Sequence, residues 1–149
     1  MHKELIKISQ DELNELLDSG TTDFSYRNLS GLNFKGAYLK GADFTCAILN
    51  GANLSRAYFV GAYFVQSHLF KVNLFKANCY KLHAWEADFR GSNLEQAIFD
   101  HANLYKTNLS GANLTGAWLR YANLAGANLQ KAKFQGTRVL KANFTEACF

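Results

Sequence analysis

From Phe24 to Phe149, every fifth residue is Leu or Phe at 23 of 26 positions. The exceptions are Cys79, Ala84 and Val139. Two residues before 22 of the 26 centres stands a small residue, Ala at 17 positions and Ser or Thr at five more. The residue between is often Asn or Asp, so the unit reads Ala-Asn-Leu-x-x, as in Ala112-Asn113-Leu114-Thr115-Gly116. A period of five matches neither the ~3.6 of a helix nor the ~2.0 of a strand. It marks a structural repeat. The large and small residues, two apart, point to the same side of an extended segment. One segment alone cannot bury its Leu or Phe. A chain that turns a corner every five residues brings them to a common axis and leaves the remaining places in water.

The unit resembles that of the pentapeptide-repeat family, and the match runs over residues 22–149. The resemblance implies an all-β solenoid, a right-handed quadrilateral β-helix with four pentapeptides per coil. About six and a half coils at ~4.8 Å each would make a rod roughly 30 Å long. Its backbone ladder runs between coils and needs every N–H, which agrees with the absence of Pro from the 149 residues. Residues twenty apart would then stack, giving four faces, named here by their first centres: 24, 29, 34 and 39. The coil 67–86 departs most from the pattern. Cys79 is undersized, Val72 replaces a small residue, and Leu82-His83-Ala84 exchanges the large and small places. That exchange roughly conserves inward volume, which close-packed interiors tolerate.

Residues 1–21 do not follow the repeat. Ser9-Gln10-Asp11-Glu12 fits a capping box with Ser9 as N-cap. Leu13, Leu16 and Leu17 mark one helical face, and Gly20 suits the stop. The expectation is a short α-helical cap (1–21) on a single continuous β-helix domain (22–149), plugging the open end of the hydrophobic column. A binding helix is the alternative. At the other end Val139, Phe144 and Phe149 finish the column with no comparable helix to shield them. Either a partner covers them, a second copy in a homodimer being one choice, or the chain belongs to something longer.

Three cysteines do not make a disulfide framework. Cys79 is expected to be buried, Cys46 and Cys148 to face outward. The start, from Met1 to Ile8, lacks the apolar run of a signal peptide, and no stretch approaches the ~20 apolar residues of a membrane span. A soluble cytoplasmic protein without membrane association is expected.

The residues hold little chemistry. His2, His68, His83 and His101 include no pair at metal-ligand spacing. Glycines such as Gly31, Gly36 and Gly41 take the last place of the unit, where a corner needs a permissive backbone, and form no phosphate loop. No nucleophile, base and orienting group assemble. No catalytic residue, cofactor or metal is therefore expected. The column of Asn33, Asn53, Asn73, Asn93 and Asn113 suits amide bonding along the rod or to corner backbone.

The outward aromatic residues carry more information. Tyr38, Tyr58, Tyr80, Trp118 and Tyr121 belong to the face of centre 39; Tyr26, Tyr63, Trp85 and Tyr105 belong to the face of centre 24. Phe70 and Phe75 sit elsewhere. Exposed apolar surface marks interaction sites, and Tyr and Trp are enriched at interfaces. Rings stacked on successive coils would also stabilise the ladder with no partner at all. Charge separates the same faces. The face of centre 39 carries Lys40, Lys81, Arg120, Arg138 and Lys141 against Asp100; that of centre 24 carries Lys106 against Asp23, Asp43, Glu86 and Glu146.

Three functions follow for comparison. A non-catalytic protein–protein interaction scaffold, binding an unknown protein partner through the aromatic faces, suits a small rod without a pocket. The family's quinolone-resistance branch protects DNA gyrase through a strongly acidic rod that stands in for duplex phosphates; a net positive solenoid argues against that role here. Nucleic-acid binding through the basic faces is the third. Lys and Arg spread over four sides form no groove with a stacking platform.

Overall fold

The computed structural model describes residues 5–149. Parallel bridges join residues twenty apart along the whole rod, from Asp23 with Asp43 to Asn128 with Cys148. The bonding alternates in direction. The N–H of centre Phe24 donates to the carbonyl of Asp43 at 2.7 Å, and the N–H of Asp43 donates back to Thr22 at 2.8 Å. Each coil is thus stitched to the next on all four sides, and the pairing continues unbroken through the irregular coil 67–86.

Corners follow from the same unit. The residue after each corner but the first donates its N–H to the carbonyl of the preceding centre, as Ala42 does to Leu39 at 3.1 Å. The second residue after each centre has positive φ at all 25 corners, ten of them Gly and fifteen not. The non-glycine corners, from Gln66 (φ 52°) to Arg56 (φ 59°), hold a left-handed conformation that costs an L-residue energy. Repetition of the ladder above and below offsets that cost. Glycine is therefore common at the corner without being required.

Each of the fifteen Asn or Asp residues that directly precede a centre accepts the N–H two residues on, as Asn53 does from Ser55 at 3.1 Å. This Asx bond satisfies a corner donor that the ladder leaves free. The column from Asn33 to Asn113 has this structural employment, with lateral amide bonds such as Asn93 to Asn73 at 3.3 Å added to it.

The interior is a ladder of rings at the N-terminal end and of Leu further on. Phe24, Phe44 and Phe64 stack at 4.9 and 4.7 Å, with Phe34 and Phe59 edge-on between them. Leu82 and Ala84, in exchanged places, are both buried, as is Cys79. Burial pushes the Cys79 thiol well above its ordinary pKa. Burial fades towards the last coil: Phe134 and Phe144 are half-buried, Val139 is 41% exposed and Phe149 70%.

Among the described residues a single helix, α1 (Gln10–Asp18), precedes the coils. The N–H of Glu12 donates to the Ser9 hydroxyl at 3.2 Å, and the N–H of Ser9 donates to the Glu12 carboxylate at 2.6 Å. Leu13 is fully buried in the same cluster as Phe24 and Leu29, with Leu16 and Leu17 half-buried against it. The flanking chain joins the ladder, which the sequence pattern of residues 1–21 does not announce. Lys7 bridges Asn28 in parallel, and the N–H of Ile8 donates to the Asn28 carbonyl at 3.3 Å. On the next side the Gln10 amide accepts the N–H of Asn33 at 2.8 Å and donates to its carbonyl at 3.1 Å. Gln10 thereby takes the place of a strand backbone. Met1 to Glu4, part of the segment read for a signal peptide, lie outside the described residues, and so does His2.

Candidate interaction surface

Residues next to a centre point outward, and the coil spacing stacks those twenty apart. Among the nine aromatic residues of these two faces, Tyr26, Tyr38, Tyr63, Trp85, Tyr105 and Tyr121 are exposed, whereas Tyr58, Tyr80 and Trp118 are half-buried. They do not form one patch. Tyr38 and Tyr58 stack at 4.8 Å on the first coils of the face of centre 39. Asn78 and Ile98 then interrupt that column before Trp118. On the face of centre 24, Tyr63 stacks on His83 at 4.7 Å. Trp85 and Tyr105 lie in the column beside it, with the Lys106 ammonium 5.2 Å from the Tyr105 ring.

The third group lies on the corner that joins these two faces. Tyr80 meets His101 edge-on at 5.5 Å, and His101 stacks on Tyr121 at 4.8 Å. The guanidinium groups of Arg120 and Arg138 both sit over Trp118, at 4.7 and 4.6 Å. Lys81 lies over Tyr80 and Lys141 over Tyr121, at 5.4 and 5.6 Å. Asp100, 4% exposed, accepts the backbone N–H of Arg120 at 2.8 Å and binds its guanidinium. That side-chain hydrogen bond raises the Arg120 pKa. His101 and the Asp100–Arg120 pair were absent from the sequence candidates. Their spacing of twenty from Tyr121, Tyr80 and Leu140 was the available signal.

A smaller cluster occupies the face of centre 29, where Lys71 and Arg90 lie 5.1 and 5.8 Å from the exposed Phe70 ring. Partial burial of Asp88 disfavours its charge, but hydrogen bonds from the side chain and N–H of Arg90, together with its charge, outweigh this and lower the Asp88 pKa.

Among the described residues, no group of three or more His, Cys, Asp or Glu is placed to hold a metal ion. An open cleft of about 400 Å³ lies between α1 and the first coil, lined by Ile8, Glu12, Glu15, Leu16, Ser19 and Arg27. Its hydroxyl is already engaged, since Ser19 donates to the Leu16 carbonyl at 2.8 Å. Cys46, Cys79 and Cys148 are free thiols. No helix of the described residues is long and apolar enough to cross a membrane.

The fold has solved counterparts. HetL, a pentapeptide repeat protein involved in heterocyst differentiation regulation in the cyanobacterium Nostoc, is 21% identical. The alignment covers 96% of this chain and 94% of that one, with a TM-score of 0.65. Rfr23, a pentapeptide repeat protein from the cyanobacterium Cyanothece, is 24% identical over 95% of this chain and 99% of its own, with a TM-score of 0.51. QnrB1, a plasmid-mediated fluoroquinolone resistance protein, is 24% identical over 82% and 77% respectively, with a TM-score of 0.49. No curated protein sequence matches the chain. The sequence profile of pentapeptide repeats matches in overlapping segments, 22–56, 47–78, 77–116 and 107–149. The chain belongs to the pentapeptide-repeat family, whose fold is the right-handed quadrilateral β-helix.

Proposed function

We propose that the protein is a non-catalytic protein–protein interaction scaffold that binds a protein partner through its outward aromatic faces. The observation that carries this reading is the array of Tyr and Trp on two adjacent sides of the rod, with Tyr38 72% and Trp85 37% exposed. Stacking of Tyr38 on Tyr58, of Tyr63 on His83 and of Tyr121 on His101 lowers the entropy those rings lose on binding. A net positive solenoid disfavours a gyrase-directed, DNA-like role. The three free thiols suit a reducing compartment such as the cytoplasm.

Two further assignments belong to this reading. Helix α1 acts as a cap that keeps water from Phe24 and Leu29, and the apolar surface of Val139, Phe144 and Phe149 supports pairing with a second copy. The test of the scaffold role is affinity capture from native lysate. The captured protein is identified, purified and titrated against the wild type, Trp85→Ala and Trp118→Ala. Weakened binding to either variant supports the aromatic faces; equal affinity for all three proteins rejects them.

A further inference from the structure

The corner between the faces of centres 39 and 24 carries an excess of positive charge. Lys81, Arg120, Arg138 and Lys141 gather there on three of four consecutive coils. The carboxylate among them, Asp100, is buried and already occupied by the N–H and guanidinium of Arg120. The ion pairs among the described residues are Arg90 with Asp88 and Arg120 with Asp100, so Lys81, Arg138 and Lys141 have no anionic partner there. Across the corner the adjoining column reads His83, Asn103, Asn123 and Asn143, without an acid. The acids of that face, Asp23 and Asp43, lie on the first coils, and Glu86 and Glu146 on its far corner.

The aromatic side chains of this corner support its cations. Trp118 lies under two guanidinium groups, Tyr80 under Lys81 and Tyr121 under Lys141. A cation held against a ring face has lost part of its hydration and rotamer freedom before any ligand arrives. The guanidinium edge of Arg138, left free by this stacking, matches the geometry of a carboxylate. The same stacking argues against single-stranded nucleic acid, which needs open ring faces for its bases: Trp118 is covered by arginines, and His101 and Tyr121 cover each other.

We infer that this corner is the docking site for an acidic, carboxylate-rich segment of a protein partner. The inference rests on the scaffold reading and gives it a partner chemistry.

The test uses the full chain, a labelled oligoglutamate peptide and a labelled oligothymidylate of equal charge, followed by fluorescence anisotropy. Oligoglutamate binds at low ionic strength and is released by salt. Arg138→Glu with Lys141→Glu weakens it about tenfold or more, as loss of complementary charge requires. Lys71→Glu with Lys131→Glu makes the same change of net charge on the face of centre 29 and alters binding less than about twofold. All four side chains belong to exposed residues, so both variants keep the fold. No binding of oligoglutamate, equal loss in the two variants, or tighter oligothymidylate binding abolished by the corner variant would each overturn the inference. A captured partner that is released by Trp85→Ala but by neither charge reversal would leave the scaffold standing and remove this corner from it.

Discussion

The carboxylate of Asp100 accepts the backbone N–H of Arg120, one coil further along, at 2.8 Å. That donor would ordinarily be taken by an Asn or Asp two residues before it, but Trp118 stands there. The same substitution occurs at Phe70, whose N–H donates to Asn50 at 3.0 Å because His68 precedes its centre. In both cases Ile, at 98 and 48, holds the place before the centre one coil back. At Trp118 and His68 the missing acceptor is thus supplied by a polar side chain twenty residues before the orphaned donor.

Asp100→Ala removes the acceptor and leaves the Arg120 N–H without a partner. Losing such a bond at a buried site costs about 1–3 kcal/mol. Urea unfolding should show that loss, with a smaller one for Asp100→Asn, which keeps a side-chain oxygen. Equal midpoints for wild type and Asp100→Ala would show that the bond contributes nothing.

The period of five made the fold legible: buried centres, Cys79 inside, and register preserved where Leu82 and Ala84 change places. The surface was legible only by column. Spacing placed Tyr80, Trp118 and Tyr121 on one face, yet it did not distinguish their separate group from the Tyr38–Tyr58 pair. Cation–ring contacts depend on side-chain direction, which a linear pattern does not encode. Gln10 was hidden for a related reason. Its amide replaces a strand backbone for Asn33, a role that leaves no periodic trace.

The cap assignment makes Leu13 the decisive residue of α1. Leu13→Ala should cost about 2–5 kcal/mol, as deletion of a buried leucine does. Ser9→Ala, which removes only the N-cap, should cost about 0.5–2 kcal/mol. Chemical denaturation of both variants checks the order. Deleting residues 1–20 should cause aggregation, and a monomeric truncated protein of unchanged stability would refute the cap.

Pairing through the last coil should appear in sedimentation velocity as a concentration-dependent dimer. Burying an exposed Phe is worth roughly 1.5–3 kcal/mol, and Phe149→Glu should return the protein to monomer. A wild-type monomer at every concentration would exclude this pairing.

Every surface assigned here depends on residues twenty apart lying one above another. Disulfide trapping tests that directly, in a background with Cys46, Cys79 and Cys148 replaced by Ala. Tyr38 and Tyr58 bridge in parallel, and a coil spacing of about 4.8 Å falls inside the ~4.4–6.8 Å Cα range of a disulfide. Tyr38→Cys with Tyr58→Cys should therefore oxidise rapidly within one chain. Tyr38→Cys with Ile48→Cys brings the pair closer in sequence but sets it on opposite faces of the rod, and it should stay reduced. Faster closure of the 38/48 pair than of the 38/58 pair would contradict the coil register and the surfaces built on it.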